Sequence, residues 1–397
     1  MTLSPPDMRG AGRTWAIAAT AFAFFATMVG TTLPTALYSI YAVDLDFSSL
    51  TVTVLFAVYA IGVVGALLVF GRLSDQIGRR PVLLIALVCA AISSILFMLP
   101  PSLALLVVAR VISGFSAGFM SGAGTAAVID LFPQLRRASG GMLAVAANSG
   151  GLATGNLLGG VLATVSSAAL ITPFAVHLGL TAAAIIGLWM LTPRPATQSS
   201  VRLRIQRLRV PAEVRGAFVR AVLAGGSAFA VSGVLTAVTA LFLSEDLHIR
   251  SHWVPGAIVF LIFATMAAGQ VIAGRVPPER ALLVGCAGLL VAVVLLMAAL
   301  GLTILAPLVA AAVLLGLAGG FCVNAGLALT VERVPESTRG EVSSAYFASL
   351  YVLLALPAIG VGLLATVVSL RHAGLIFAIV VAALVAAIGG IQARRAA

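Results

Sequence analysis

Residues 70–81 read Phe70-Gly71-Arg72-Leu73-Ser74-Asp75-Gln76-Ile77-Gly78-Arg79-Arg80-Pro81. They form a short polar knot between two apolar runs, 50–69 and 82–99. Arg72, Arg79 and Arg80 stand against one acid, Asp75, and Gly71 and Gly78 bracket the charges. About 20 helical residues cover roughly 30 Å of hydrocarbon, so either run is long enough to span a bilayer. The segment therefore reads as a tight turn between two membrane helices, on the side where positive charge stays.

Working outward, the chain is 397 residues long, 61% hydrophobic and 9% charged, with a mean hydropathy of +1.17. A soluble domain carries about 25% charged residues, so this composition cannot clothe a water-soluble surface. The apolar runs are long and lack period-two alternation, which points to helices and not to a barrel. A net charge of +11 suggests nucleic acid when taken alone. Here every basic residue is an arginine, and the arginines cluster in the turns. Topology and anionic lipid explain that placement, and no nucleic-acid partner is expected. Without lysine there is no phosphate-binding Gly-x4-Gly-Lys-[Ser/Thr] loop, so ATP is not burned through a P-loop of this chain. Cys89, Cys286 and Cys322 each lie inside an apolar run and off metal spacing. They read as packing residues, and neither a metal nor a cofactor is expected. The first apolar run is too long for a signal peptide and reads as a retained span.

Twelve runs can be drawn, at 14–38, 49–70, 81–99, 103–131, 139–165, 169–192, 217–243, 253–274, 281–300, 303–330, 341–367 and 371–393. With the N-terminus inside, the outer turns hold only Arg250 and Arg371, while twenty arginines fall in inner segments. That imbalance places both termini in the cytoplasm of a multi-pass protein of the inner (plasma) membrane. The expected organisation is a six-helix bundle over 1–192, a basic cytoplasmic linker over 193–216 and a second six-helix bundle over 217–397. The linker run 202–209 reads either as a short helix on the inner leaflet or as a solvated connection.

The two halves repeat. Shifted by 202 residues, 110–164 lies on 312–366 without a gap, with about sixteen of some fifty-five positions identical. Gly114 meets Gly316, Gly118 meets Gly320, Gly124 meets Gly326, Pro133 meets Pro335 and Arg137 meets Arg339. A parallel duplication of six-helix units is an architecture of secondary transporters, with the substrate site between the halves.

The opening segment resembles the loop between the second and third helices of the major facilitator superfamily, Gly-x-Leu-[Ala/Ser]-Asp-x-x-Gly-Arg-[Arg/Lys]. Gly71, Leu73, Ser74, Asp75, Gly78, Arg79 and Arg80 match it in register. The resemblance implies an all-α membrane protein of twelve transmembrane helices in two pseudo-symmetric six-helix bundles. It also gives meaning to two acid–arginine pairs at matching spacing, Asp130 with Arg137 and Glu332 with Arg339. In the family such pairs work with the first loop, so Asp75, Arg79, Asp130 and Arg137 are expected to latch the outward-facing state, with Gly71, Gly78, Arg80, Glu332 and Arg339 as the other members of the latch. The alternative is a set of exposed pairs worth about 0–1 kcal/mol each. In the second half the loop is shorter, Gly274 to Arg280, and lacks the Leu-Ser-Asp core.

Arg110 is the one arginine placed deep inside a run. Burying it costs about 2.5–3.5 kcal/mol on insertion scales, so it should face a polar cavity or a partner. It resembles the fourth-helix basic residue of proton-coupled members. That implies proton coupling or contact with an anionic substrate; snorkelling or a structural bond to backbone is the alternative. Gly151, Gly155, Asn156, Gly159 and Gly160 resemble the antiporter signature Gly-x3-Gly-Pro-x2-Gly-Gly, with Asn156 in place of proline. The glycines are expected at helix contacts, and Asn148 or Asn156 at the cavity. Thr31, Thr32, Pro34, Tyr38, Asn324, Tyr346 and Tyr351 are weaker cavity candidates. His177 is expected to be a structural hydrogen-bonder.

The expected function is secondary transport by alternating access, as proton-coupled export of small hydrophobic or amphipathic compounds, by a monomer. A sugar or small-metabolite permease is the alternative within transport, and a non-transporting membrane sensor or scaffold the alternative outside it. No enzyme is expected: His-Glu-x-x-His and paired intramembrane aspartates are missing.

Overall fold

In lipid, each span must satisfy its own backbone polar groups, and long uninterrupted helices do this. A computed structural model describes residues 11–71, 73–192, 210–249 and 251–396. The side chains of Asp75, Glu336, Ser337, Arg395 and Ala396 lie outside the described set, as does most of the basic linker. Among the described residues there are twelve long helices and no strand. The first six are α1 (Ala11–Thr32), α2 (Ser49–Phe70), α3 (Arg79–Met98), α4 (Leu103–Asp130), α5 (Arg137–Val165) and α6 (Thr172–Leu191). The second six are α7 (Arg215–Glu245), α8 (Trp253–Ala273), α9 (Pro278–Leu302), α10 (Leu305–Val331), α11 (Glu336–Leu364) and α12 (Leu370–Ala396). Eleven of the twelve are long and apolar enough to cross a membrane. The exception is α5, whose glycines and two asparagines dilute its apolar character. Its 29 residues still give a length of about 43 Å.

The first span does not continue as one α-helix. Pro34 lacks an N–H, and the chain passes through a 3-10 turn, Leu33–Leu37, before a short helix, Tyr38–Asp44. By contrast α5 is unbroken through Asn156, as expected where the proline is missing.

Successive helices are antiparallel, so the turns around 71–78, 131–136, 274–277 and 332–335 gather at one end, the basic end. Bonds within each half tie α3 to α6 and α12 to α9 at this end. Packing follows the duplication: α2 and α3 lie on α4 as α8 and α9 lie on α10, and α1 lies on α5 as α7 lies on α11. Repeat-related glycines serve the same crossings. A Cβ on Gly118 would stand 2.9 Å from the carbonyl oxygen of Val63 in α2, and one on its partner Gly320 2.8 Å from the backbone of Gly269 in α8. The halves meet mainly through α5 against α8 and α2 against α11.

Buried side chains reveal which end is shut. At the end opposite the basic one, a single apolar cluster runs across both halves, joining Leu33, Leu37, Tyr38 and Tyr41 to Val234, Val238, Leu241 and Val361. Toward the basic end the core divides. The buried residues of one cluster all come from the first half and those of another all from the second.

Candidate functional site

Three glycines one turn apart on α5 line the face against α1. Cβ atoms on Gly151, Gly155 and Gly159 would press on α1 near Phe25, Val29 and Leu33, the last at 2.7 Å from a carbonyl oxygen. The next residue, Gly160, points the other way. A Cβ there would lie 3.0 Å from Cα of Trp253 in α8, and one on Gly256 would lie 2.7 Å from the backbone oxygen of Asn156. Helix α5 is thus sandwiched between α1 of its own half and α8 of the other. Gly362, the repeat partner of Gly160, sits in α11 against Thr53 of α2, its added Cβ 3.0 Å from that of Thr53.

Arg110 is fully buried, one face of α4 carrying it between α1 and α2. Its guanidinium donates to the carbonyl of Thr31 at 2.8 Å and to that of Phe56 at 3.5 Å. It lies 4.9 Å from the ring centre of Tyr59 and 5.9 Å from that of Tyr38. Among the described residues, no acidic residue sits more than about two helical turns from a helix end. The charge is therefore held by carbonyl dipoles and ring faces, not by a carboxylate, and Arg110 Nε has no partner among the described residues. Thr31 and Tyr38, expected as cavity residues, are buried around this guanidinium.

Asn156 is 1% exposed. Its amide donates to Thr35 Oγ1 and, at 3.4 Å, to the carbonyl of Thr32. Asn148, two turns away on the same helix, is half-buried.

An aromatic group occupies the middle of the bundle. Tyr59 of α2 meets Tyr351 of α11 edge-on, with ring centres 6.2 Å apart, and Phe229 of α7 stands 6.0 Å from Tyr351 at a steep angle. Phe25, Phe229, Phe347 and Tyr351 are near the midpoints of their helices and only half-buried. Phe25, Phe347 and Tyr351 also pack on core residues of the first half, and Phe229 on the cluster that joins the halves, so their remaining exposed area faces inward, not toward lipid.

A family model for the Major Facilitator Superfamily matches residues 19–356. The chain belongs to this superfamily. Its fold matches crystal structures of a bacterial homolog to the human lysosomal transporter Spinster, at 16% identity over 98% of each chain. The TM-score is 0.75 for the inward-facing occupied form and 0.72 for the unoccupied one. Curated relatives match over shorter stretches. MFS-type transporter ppz2 of Metarhizium majus is 32% identical over 33% of this chain. Quinolone resistance protein NorA of Staphylococcus aureus is 27% identical over 36%, and Tetracycline resistance protein, class H, of Pasteurella multocida 34% identical over 29%. The matched stretches span 22%, 37% and 28% of those relatives' own lengths. Family and fold are those of major facilitator superfamily transporters, which are not enzymes.

The superfamily's loop residues can now be located. Gly78 has φ of 91°, a region L side chains rarely adopt, and it caps the start of α3. Arg79 approaches Asp130 at 3.4 Å and donates to Ser74 Oγ at 2.6 Å. Arg80 donates to the carbonyls of Trp189 and Thr192, at 2.6 and 3.1 Å, and lies over the Trp189 ring. It thereby caps the C-terminus of α6, where a cation is favoured by the helix dipole. Gly71 is exposed beside this loop, and the Asp75 side chain falls outside the described set. Arg137 is exposed, and no ion pair links it to Asp130 among the described residues. Glu332 is also exposed, and Arg339 reaches the carbonyl of Val334.

The spacing argument missed a pair in the second half, Arg333 with Glu279. Its polarity is inverted relative to the first. Arg79 begins α3 and Asp130 ends α4, so each opposes its own helix dipole. Glu279 lies in the first turn of α9 and Arg333 follows α10, where each is favoured. The repeat register held the signal, since Arg333 falls on Leu131 and Glu279 occupies the loop counterpart of an arginine.

His177 of α6 joins three helices. Nε2 lies 2.9 Å from the carbonyl of Ala26 in α1 and must donate to it, which leaves Nδ1 to accept from Ser94 of α3 at 2.6 Å. Gly30 gives it room, since a Cβ there would meet the imidazole. Replacing His177 with alanine should cost about 1–3 kcal/mol of stability. Thermal unfolding in detergent would show this, with transport per folded molecule close to the parent value.

Proposed function

We propose that this superfamily member exports small hydrophobic or amphipathic compounds from the cytoplasm, driven by proton entry, by rocking its two halves about the central aromatic group. The observation that carries the reading is the half-buried set Phe25, Phe229, Phe347 and Tyr351, contributed by both halves at mid-depth. Such a surface suits flat apolar molecules and offers few groups to a sugar, which needs matched hydrogen bonds. The printed names of two relatives, resistance to quinolones and to tetracycline, support export. The basic end is cytoplasmic on the positive-inside argument, so the arrangement with its other end shut is open toward the cytoplasm.

Arg110 is the coupling charge in this reading. Its buried cation has no carboxylate partner, so any change in the carbonyls and rings around it is felt as energy. At the basic end, Asp75, Arg79, Asp130 and Arg137 form the latch that closes when the protein faces outward. The Arg79–Asp130 pair, formed within the first half, is disfavoured by both helix dipoles and so is the easier to exchange for contacts across the mouth, whereas the dipoles favour the Glu279–Arg333 pair. Glu332 and Arg339 are the corresponding second-half residues.

Reconstituted vesicles with an imposed pH gradient test the proposal. Substrate should move against its own gradient and protons should move with their gradient, in the same preparation. Transport without a pH response would remove the coupling, and no flux of any panel compound would remove the export reading. Tyr351→Ala should raise the half-saturating concentration of an aromatic substrate about tenfold, equivalent to about 1.4 kcal/mol. Tyr351→Phe should change it little.

A further inference from the structure

We propose that Asn156 is the positioning residue of an outer gate formed by residues 33–44, hinged at Pro34. The proposal rests on the rocking mechanism above and adds the device by which α1 follows α5. Around Pro34 the backbone changes from α to 3-10 bonding, because proline offers no N–H to the helix. Two successive carbonyls just before it accept from side chains of other helices. Thr31 O accepts from Arg110 of α4 at 2.8 Å, and Thr32 O accepts from Asn156 of α5 at 3.4 Å. The same Asn156 amide donates to Thr35 Oγ1, which itself donates to Thr32 O at 2.5 Å. A bond in the reverse direction, from Thr32 Oγ1 to Leu152 O at 2.7 Å, completes the tie.

Asn156 sits where the antiporter-like signature has a proline, and the helix irregularity lies across the contact, at the end of α1. Its side chain holds the break in α1, while its own backbone carbonyl abuts Gly256 of α8 in the other half. Separation of α5 from α8 would act directly on the hinge.

The segment beyond the hinge has the character of a gate. Leu37, Tyr38 and Tyr41 are buried against α7 residues of the second half. The Tyr41 hydroxyl has no hydrogen-bond partner among the described residues. Leaving a buried hydroxyl unsatisfied costs about 1–3 kcal/mol, recovered when it reaches water. The shut position is thus only modestly favoured, and the Asn156 bonds tip the balance.

Spin labels at Val43→Cys and Val367→Cys, exposed positions in opposite halves at the shut end, report the gate in a background with the three native cysteines replaced. The parent should show a short-distance population and a minor long one. Asn156→Ala should raise the ratio of long to short at least about fivefold. Thr35→Val, which removes the same bond from its other partner, should act alike, and the double variant should add nothing further. Asn156→Gln, which retains the amide, should stay near the parent. Unchanged distances in both Asn156→Ala and Thr35→Val would overturn the proposal, even if transport falls. A parent with a single rigid distance under every substrate and pH condition would instead remove the rocking mechanism on which it stands.

Discussion

Arg110→Met should leave a folded protein that transports on the order of 100-fold more slowly, a coupling loss of 1–3 kcal/mol. The fold should tolerate the change. Replacing a buried charge by an apolar side chain of similar length is often neutral or stabilising, because the desolvation cost disappears with the charge. Two carbonyls, of Thr31 and Phe56, lose their donor. That offsets part of the gain, by about 1–3 kcal/mol each. Arg110→Lys should restore little: an ammonium cannot stack between Tyr38 and Tyr59 while donating in two directions. The measurement is substrate flux in vesicles beside a thermal unfolding curve for each variant. Full flux in Arg110→Met would show that the guanidinium is only structural.

Gly160→Trp should trap the protein with the end opposite the basic one open. A Cβ at Gly160 already lies 3.0 Å from Cα of Trp253 and 3.1 Å from the carbonyl carbon of His252. These are backbone atoms at the start of α8, which cannot swing aside as a side chain can. Overpacking costs about 1–3 kcal/mol for a few methylenes, and an indole exceeds that, so the halves should part at this crossing. Transport should fall to background while substrate still binds, and thiol labelling at the shut end should rise. Gly362→Trp should act in the same sense but more weakly, because its neighbour is the Thr53 side chain, which can rotate. Gly160→Trp with normal transport would mean that α5 and α8 do not separate during turnover.

Much of this architecture was legible because bilayers leave few choices. Long apolar runs with arginine-rich turns gave the twelve helices, and the 202-residue register anticipated which glycines lie at equivalent crossings. The α5 glycines were expected at helix contacts. Their division, with Gly151, Gly155 and Gly159 on α1 and Gly160 on α8, depends on the helix's rotation between two neighbours, which a glycine pattern does not fix. Pro34 was visible as a residue, but not that its freed region would be satisfied by side chains from α4 and α5. Arg110 was recognisable as a costly burial. Its partners are main-chain carbonyls and ring faces, and no residue type in the sequence advertises a free carbonyl. Arg80 illustrates the opposite difficulty. Its motif placed it in the latch, and the structure locates it on the C-terminus of α6, a contact set by packing between helices far apart in sequence.

Two distances measured together test the central claim of rocking halves most directly. One pair of labels, Leu135→Cys and Gly340→Cys, spans the basic end at exposed positions. The other, Val43→Cys and Val367→Cys, spans the opposite end. Across conditions of substrate and pH, the first distance should shorten as the second lengthens, in proportion within the same sample. Both distances changing in the same direction, or neither changing while substrate is being transported, would contradict the account.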